Sequence, residues 1–514
     1  MFELSVSATV ILMTLTDLPH DLLLEIATYL SVKDVLSLKQ TCRVLHVLAS
    51  ADYLWHKISA DNHQPLDLPL GVRPLSLPSD ELQRLAIRAL RLEANWRRST
   101  PRLAAKAIVS SSEEPYVDEM QLLPGGKWLL TAQRRSHRWR FNSCVTLWSL
   151  QDVEDPRRIT RIDFPGTYRS VSMAVQEGGV LAYLVIGVHD ESRAQQTIPK
   201  NTSSYIEIHL LRLQREELSY MRNSLRSAPK RLDVPCHPRA IRIRPMIHLI
   251  ATCGNVLAVT VVFLQGGIAG ENPLQILLAN SDSDTPCYVH PRFVQPFSSL
   301  SVNLHEGHIL LLGKIEYSLV LRIYRLPELL HQVLTVPDNM QDSLSGQALE
   351  YEYLDLGAVL AEYAEPLSQG LRRVSDIACT SSTSYSFLSV MVFDPTLGHP
   401  GVGQVFRFPL NVDGPRLPVV SKCFLTPPDV SAQLAQVGAT GRRAVWLEHN
   451  WEIQQKRVMR YRLVDGKPVV DELLPPDPQL PLTPNTCHSL AFDEVSGRLC
   501  MGLYNGDVYV LDFV

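Results

Sequence analysis

The chain has 514 residues, 45% of them apolar and 20% charged, a balance that fits a globular protein able to bury a sizeable core. A formal net charge of -4 gives no global pull toward nucleic acid or anionic membrane, so neither is an expected partner. Nine cysteines lie scattered from Cys42 to Cys500 with no CxxC pair and no zinc spacing; the odd count argues against a full disulfide framework and points to reduced core thiols.

The first fourteen residues read as a flexible terminus. The apolar run Leu4 to Leu15 is too short to span a bilayer and lacks the basic flank of a secretory signal. Met13 offers an alternative start, and the sequon at Asn201 is read as accidental. Intracellular residence, cytoplasmic and/or nuclear, is expected.

From Leu15 the chain becomes helical. Pro19 suits a helix start, and Leu22, Ile26 and Leu30 recur every fourth residue with Leu23 and Ala27 beside them. Ser31 reads as the cap of a second short helix carrying Asp34, Val35, Leu36 and Leu38. A third helix would hold Cys42, Leu45, Leu48 and Ala49, with Tyr53-Leu54-Trp55 ending the unit. Three short helices cannot bury so many apolar side chains among themselves. The remainder must pack on the rest of the chain or on another protein.

The stretch LPHDLLLEIATYLSVKDVLSLKQTCRVLHVLASADYLWHKI resembles the F-box. The shared marks are Leu18-Pro19, then Leu22, Ile26 and Leu30, then Asp34-Val35-Leu36, Cys42-Arg43 and Leu54-Trp55. Leu45 departs from the large aromatic common at its position but stays apolar. The resemblance implies docking to a Skp-type adaptor, and through it to a cullin. The implied adaptor-binding residues are Leu18, Pro19, Leu22, Ile26, Leu30, Val35, Leu36, Leu38, Cys42, Leu45 and Trp55.

Residues 15–60 are thus the F-box and residues 61–100 a proline-rich linker and helix. HQPLDLPLGVRPLSLP, His63 to Pro78, reads as extended chain. Ser79 then opens a helix to about Arg98, with Leu82, Leu85, Ala86, Ala89, Leu92 and Trp96 on one face and Arg84, Arg88 and Arg91 on another.

Beyond residue 101 paired apolar runs replace the helical period, and residues 101–514 are expected to form an all-β propeller, seven blades fitting best and six or eight left open. The expected pairs are Lys127–Gln133 with Cys144–Leu150, Val180–Val188 with Tyr205–Leu213, and Asn255–Phe263 with Leu274–Ala279. His308–Lys314 with Ser318–Leu326, Tyr385–Phe393 with Gly403–Leu410, and Arg443–Glu448 with Arg457–Val464 follow. The last is Arg498–Tyr504 with Asp507–Phe513, joined by Asn505-Gly506 as a type I′ hairpin signal. Runs such as LAYLVIGV are apolar at successive positions, as sheets covered on both faces require. The last pair lacks an outer strand, which Leu103–Val109 could supply, closing the ring. The body is similar to a degenerate WD-repeat propeller through Leu147-Trp148-Ser149 and Pro124-Gly125-Gly126-Lys127-Trp128.

No nucleophile, metal or phosphate-loop signature stands out, so neither catalysis nor a cofactor nor a metal is expected. Gly401–Gln404 reads as a loop, Glu350–Glu365 as a solvated insertion or irregular strand, and His305 and His308 flank a turn. The richest basic feature is Arg134, Arg135, Arg138, Trp139 and Arg140. Arg169, Arg239, Arg372 and Arg373 are placed in loops leading into innermost strands, on the same propeller face. Clustered arginines suit carboxylates or phosphates, hence an acidic or phosphorylated protein target, although such a loop also reads as solvated surface. With the F-box resemblance, this implies a substrate-recognition subunit of an SCF-type ubiquitin ligase. The alternative is a scaffold that binds the adaptor and a partner without ubiquitination.

Overall fold

A computed structural model of the chain describes residues 15–61, 65–68, 72, 74–110, 116–137, 140–176, 180–189, 204–213, 229–234, 245–263, 274–281, 287–290, 300–326, 353–367, 377–382, 385–393, 400–412, 417–474 and 482–514. The N-terminal expectation for residues 1–14 lies outside them. Two compact units emerge: Met1–Leu68 with Val72–Ala94, and Pro69–Gly71 with Asn95–Val514.

The first unit is helical: α1 (His20–Thr28), α2 (Val32–Lys39), α3 (Arg43–Leu48), α4 (Asp52–Asp61) and most of α5 (Ser79–Trp96). Pro19 caps α1 with an extended backbone, and its carbonyl accepts the Leu23 N–H at 3.1 Å. The Ser31 hydroxyl accepts the Asp34 N–H at 3.2 Å and donates to the Asp34 carboxylate at 2.6 Å, closing the first turn of α2.

Tyr53, Leu54 and Trp55, read as the end of the three-helix unit, lie in a fourth helix, α4. Leu54 and Trp55 are buried, and the Trp55 indole donates to the Ala49 carbonyl at 2.8 Å, binding α4 to the end of α3. The remaining cover comes from α5, whose Leu82, Ala86 and Ala89 join Leu23, Ala27, Val35, Leu45, Leu48 and Trp55 in one core. Asp52 accepts the Ser79 N–H at 3.1 Å, which fixes the start of α5 beside the start of α4. A hydrogen bond from the Ser79 side chain, with this backbone bond second, holds the Asp52 carboxyl below its usual range. Helix α5 stops at Trp96, two residues before the expected end.

The second unit is a seven-bladed propeller. After β1 (Ala105–Ser110), blade 1 is β2 (Glu119–Leu122), β3 (Trp128–His137), β4 (Arg140–Ser149) and β5 (Arg157–Pro165). Blade 2 is β6 (Thr167–Val175), β7 (Leu181–His189), β8 (Ser204–Arg212) and β9 (Lys230–Asp233). Blade 3 is β10 (Pro245–Cys253), β11 (Val256–Phe263), β12 (Leu274–Asn280) and β13 (Cys287–His290). Blade 4 is β14 (Leu300–His305), β15 (His308–Ile315), β16 (Ser318–Arg325) and, beyond an insertion, β18 (Ala361–Pro366). The insertion contributes β17 (Tyr353–Asp355), which pairs in parallel with β13 as a fifth strand of blade 3.

Blade 5 is β19 (Ile377–Ser382), β20 (Tyr385–Phe393), β21 (Gly401–Pro409) and β22 (Val420–Thr426). Blade 6 is β23 (Val430–Val437), β24 (Arg443–Asn450), β25 (Gln455–Val464) and β26 (Lys467–Glu472). Blade 7 is β27 (Cys487–Asp493), β28 (Arg498–Leu503) and β29 (Asp507–Asp512), with β1 as its outer strand. The β1–β29 ladder runs from Ala105↔Asp512 to Ser110↔Asp507 and closes the ring as expected. Arg498 locks the closure: it pairs with Asp512 at 2.9 Å and donates to the Gly126 and Leu150 carbonyls of blade 1 at 2.8 and 2.7 Å.

All seven expected strand pairs form, as the second and third strands of their blades. Two local readings are corrected. Asn505-Gly506 is not a type I′ turn, because only Gly506 has positive φ (90°); the Gly506 N–H bonds the Leu503 carbonyl, leaving a three-residue loop. The primed geometry occurs instead at Glu306-Gly307, φ 36° and 79°, between β14 and β15. Gly401–Gln404 is not a loop but the start of β21, where Gly403 makes room for the Phe424 ring; a Cβ there would lie 2.2 Å from the ring.

The residues that follow α5 are held inside the second unit. Trp96 is buried, with ring centres of Phe492 and Phe513 at 5.4 and 5.9 Å. Arg460 donates to the carbonyls of Trp96, Arg98 and Ser99 at 2.9, 2.6 and 3.2 Å, and Arg462 to that of Trp96 at 2.8 Å. Cations thus satisfy the carbonyls that every helix C-terminus leaves open. Asp471 pairs with both arginines.

Candidate functional site

The helical unit leaves an apolar surface uncovered. Leu22 and Ile26 on α1 and Tyr29 at its C-cap lie at successive turns with 54, 46 and 82% of their surface exposed. Val44 and Val47 on α3, Tyr53 on α4 and Leu15 are exposed as well. Water-facing leucine, isoleucine and valine on so small a unit mark a surface built to be covered.

The expected adaptor-binding residues separate into classes. Leu22, Ile26, Pro19 and Cys42 are exposed, while Leu18, Leu30, Leu36 and Leu38 are half-buried at the edge of the core. Val35, Leu45 and Trp55 lie inside the core, so they hold the helices in place and present no area of their own. Tyr29, Val44, Val47 and Tyr53 were missed; the signal was there, since Val44 and Val47 are three apart on one helix face.

On the propeller, every innermost strand runs the same way through the ring. The turns between second and third strands and the links between blades therefore share one end, the upper face. Arg134 sits at the upper end of β3. Its backbone N–H donates to Asp118 at 2.7 Å, and its guanidinium lies 4.9 Å from the Tyr168 ring centre. Arg135 meets Asp163 at 3.7 Å, and Asp163 also takes Arg161 at 3.1 Å. The basic stretch is therefore interleaved with acids of its own blade.

Arg169 is not in a loop. Gly166 (φ 97°) makes the whole link between β5 and β6, so Arg169 falls inside β6 at a break in register between Tyr168 and Ser170. Arg140 opens β4, while Arg138, Trp139, Arg239, Arg372 and Arg373 lie outside the described residues. Of the expected rim, the structure brings Arg134, Arg135 and Arg169 to blades 1 and 2.

Sequence reasoning missed the acidic part of this rim. Burial pushes the Glu119 carboxyl up to about 7, with Arg134 opposing and Asp118 adding to the rise. Burial raises the Tyr168 hydroxyl too, and both carboxylates add to it. It also missed an aromatic ridge at the same end, over blades 6, 7 and 1. His488 lies 4.6 Å from Tyr116 and 4.8 Å from Tyr504, ring centre to ring centre, and Lys456 Nζ lies 5.8 Å from the Tyr504 ring. Nearby on blade 6, half-exposed Trp451 lies tilted against His449, ring centres 4.1 Å apart. No local motif could reveal this ridge, because each ring comes from a different strand end.

Among the described residues no three His, Cys, Asp or Glu side chains come together as a metal site, and no helix is long and apolar enough to cross a membrane. His305 and His308 are simply the paired ends of the β14–β15 hairpin.

Comparison with known proteins matches residues 15–61 to the F-box-like family. No curated protein matches the chain. Among solved structures, it is similar to a chain of the mitotic checkpoint complex (8% identity, TM-score 0.38, covering 80% of this chain and 94% of that one). It is similar to Sqt1 of Chaetomium thermophilum (11%, TM-score 0.39, 80% and 98%) and to the Dos1 propeller (9%, TM-score 0.38, 79% and 93%). The blade count rests on the seven sheets themselves.

Proposed function

From an F-box-like domain followed by a seven-bladed propeller, we propose that this chain is the substrate-recognition subunit of a cullin-based, SCF-type ubiquitin ligase. The F-box docks to a Skp-type adaptor, the propeller holds a target protein, and the chain performs no chemistry itself. It acts by raising the effective concentration of target near the ubiquitin-charged partner. Such a subunit works in the cytoplasm and/or the nucleus.

One observation carries the reading. The segment that matches the F-box-like family is also the one that leaves Leu22, Ile26 and Tyr29 in water. Leu18, Leu30, Leu36 and Leu38 are half-buried against the same helical core, and Pro19 and Cys42 are exposed. The target would meet the upper face of the propeller. Arg134, Arg135 and Arg169, with Arg138, Trp139, Arg140, Arg239, Arg372 and Arg373, are the proposed contacts for its acidic or phosphorylated groups.

The test is a pull-down of the full chain with its host's Skp-type adaptor, wild type beside a Leu22→Asp, Ile26→Asp variant. Both positions face water in the chain alone, so the variant stays folded. At a buried interface each charge costs several kcal/mol, so binding should vanish. Failure of the wild type to bind would sink the reading. Adaptor binding with no ubiquitin transfer to a bound partner would mark the scaffold form instead.

A further inference from the structure

The upper end of blades 6 and 7 leaves large apolar side chains in water. Trp451 and Ile453, between β24 and β25, are 43 and 50% exposed, and Tyr504, between β28 and β29, is 50% exposed. A turn that only reverses the chain is served by small and polar residues at its tip, not by an indole, a branched aliphatic and a phenol. These side chains are also held in place. The Trp451 indole donates to Ser431 Oγ at 3.0 Å, and its backbone N–H donates to the Asp429 carbonyl at 3.0 Å. Asn450 Oδ1 accepts the Glu452 and Ile453 N–H groups at 3.0 and 3.2 Å, which fixes the turn that carries Ile453. The Tyr504 ring centre lies 4.8 Å from that of His488 and 5.9 Å from that of Tyr116.

The two blades are tied together at this end. Asn485 Oδ1 accepts the Lys456 N–H at 2.6 Å, and the Thr486 carbonyl accepts the Tyr504 N–H at 3.0 Å. The two turns therefore flank one surface. Rings ordered before contact lose little entropy on binding, which is what makes aromatic anchors effective. Lys456 sets the charge here. Its Nζ lies 5.8 Å from the Tyr504 ring centre and donates to the Cys487 carbonyl at 3.4 Å, both neutral groups. Among the described residues no carboxylate pairs with it. Burial holds the His488 imidazole below the usual histidine range, against the pull of Asp118 and with Lys456 and Arg134 adding to the fall, so His488 is neutral at neutral pH.

We propose that this ridge is a docking site for a segment of a target protein that offers a large apolar side chain with an acidic residue beside it. The apolar side chain packs on Trp451, Ile453 and Tyr504, and the carboxylate takes the Lys456 ammonium in a charge-assisted hydrogen bond. The inference rests on the receptor reading above and deepens it by naming the kind of segment the upper face takes. A single ammonium is a poor match for a nucleic acid, whose affinity comes from many phosphate contacts at once.

The experiment passes a degenerate library of short peptides over the immobilised full chain and sequences what is retained. Wild type should enrich peptides with a large apolar residue and an Asp or Glu at a fixed spacing from it. Tyr504→Ala and the double variant Trp451→Ala, Ile453→Ala should each lose the apolar enrichment about tenfold. Lys456→Glu should turn the flanking preference from acid to base. Tyr317→Ala, in the exposed β15–β16 turn of the same face, should change neither. Wild type that retains no peptide, or retains peptides with no apolar preference, overturns the proposal. So does an apolar enrichment that survives both ridge variants, or an acidic preference that Lys456→Glu leaves unchanged. A single-stranded DNA oligonucleotide that displaces the retained peptides would assign the ridge to nucleic acid and overturn it as well. Should the ridge variants melt early, Ile453→Asp at its half-exposed position decides by the same criterion. The adaptor takes no part in this measurement, so its failure and a failure of adaptor docking are read separately.

Discussion

Arg498 shows how one side chain can hold a fold's seam. It is buried with its partner Asp512, and its Nη1 donates to two carbonyls of blade 1. Removing one member of such a pair strands the other charge without solvent. Arg498→Met should therefore cost about 3–5 kcal/mol in urea unfolding of the propeller, and Arg498→Met with Asp512→Leu should recover most of it. Glu119 is the opposite case, a carboxyl that folding pushes up to about 7 from an ordinary 4.5. The folded state then holds its proton more tightly than the unfolded state does. The contribution is fully present below pH 4.5 and is lost as pH rises through 7, on the order of 3 kcal/mol in all. Glu119→Gln should flatten that decline. Thermal midpoints across pH 4.5 to 8 would show it, and an unchanged slope would mean another group is responsible.

At the scale of elements, the short helices depend on their ends. Ser31 closes the first turn of α2 through Asp34, so Ser31→Ala should weaken that turn by about 1 kcal/mol. Amide exchange at Asp34 should quicken about fivefold while exchange inside α4 stays slow, and equal quickening in both would show that α2 does not open by itself. Which elements were legible in the sequence follows from their surroundings. Second and third strands such as β7 (LAYLVIGVH) and β15 (HILLLGKI) are covered on both faces and read as apolar runs. Innermost strands such as β19 (IACTSS) and outer ones such as β22 (VSKCFLT) mix small, polar and charged residues, so their pattern fades. Helix α4 was hidden because Trp55 matches the end of the F-box pattern, and only its packing shows that a helix begins at Asp52. For the candidate surfaces, α1 was legible through its four-residue spacing. The aromatic ridge was not, since ring closure alone brings Tyr116 to His488.

Over the whole molecule, the propeller is closed by a strand from its far end in sequence. Strand β1 covers the edge of β29 through six paired residues, and Val109 is buried against Val508 and Val510 of blade 7. Were β1 absent, β29 would offer an unpaired edge with apolar neighbours, which is what invites strand addition between copies. A chain beginning at Tyr116 should therefore self-associate, whereas one beginning at Asn95, with Trp96 and β1 retained, should remain monomeric in light scattering. A single buried charge, Val109→Asp in the longer chain, tests the same closure without truncation: β1 should detach, and self-association should rise with concentration. If the Tyr116 chain and the Val109→Asp variant both stay monomeric and melt like the longer chain, the outer strand is dispensable. Blade 7 would then be held by Arg498 and its two blade 1 carbonyls, a bond that involves no residue of β1.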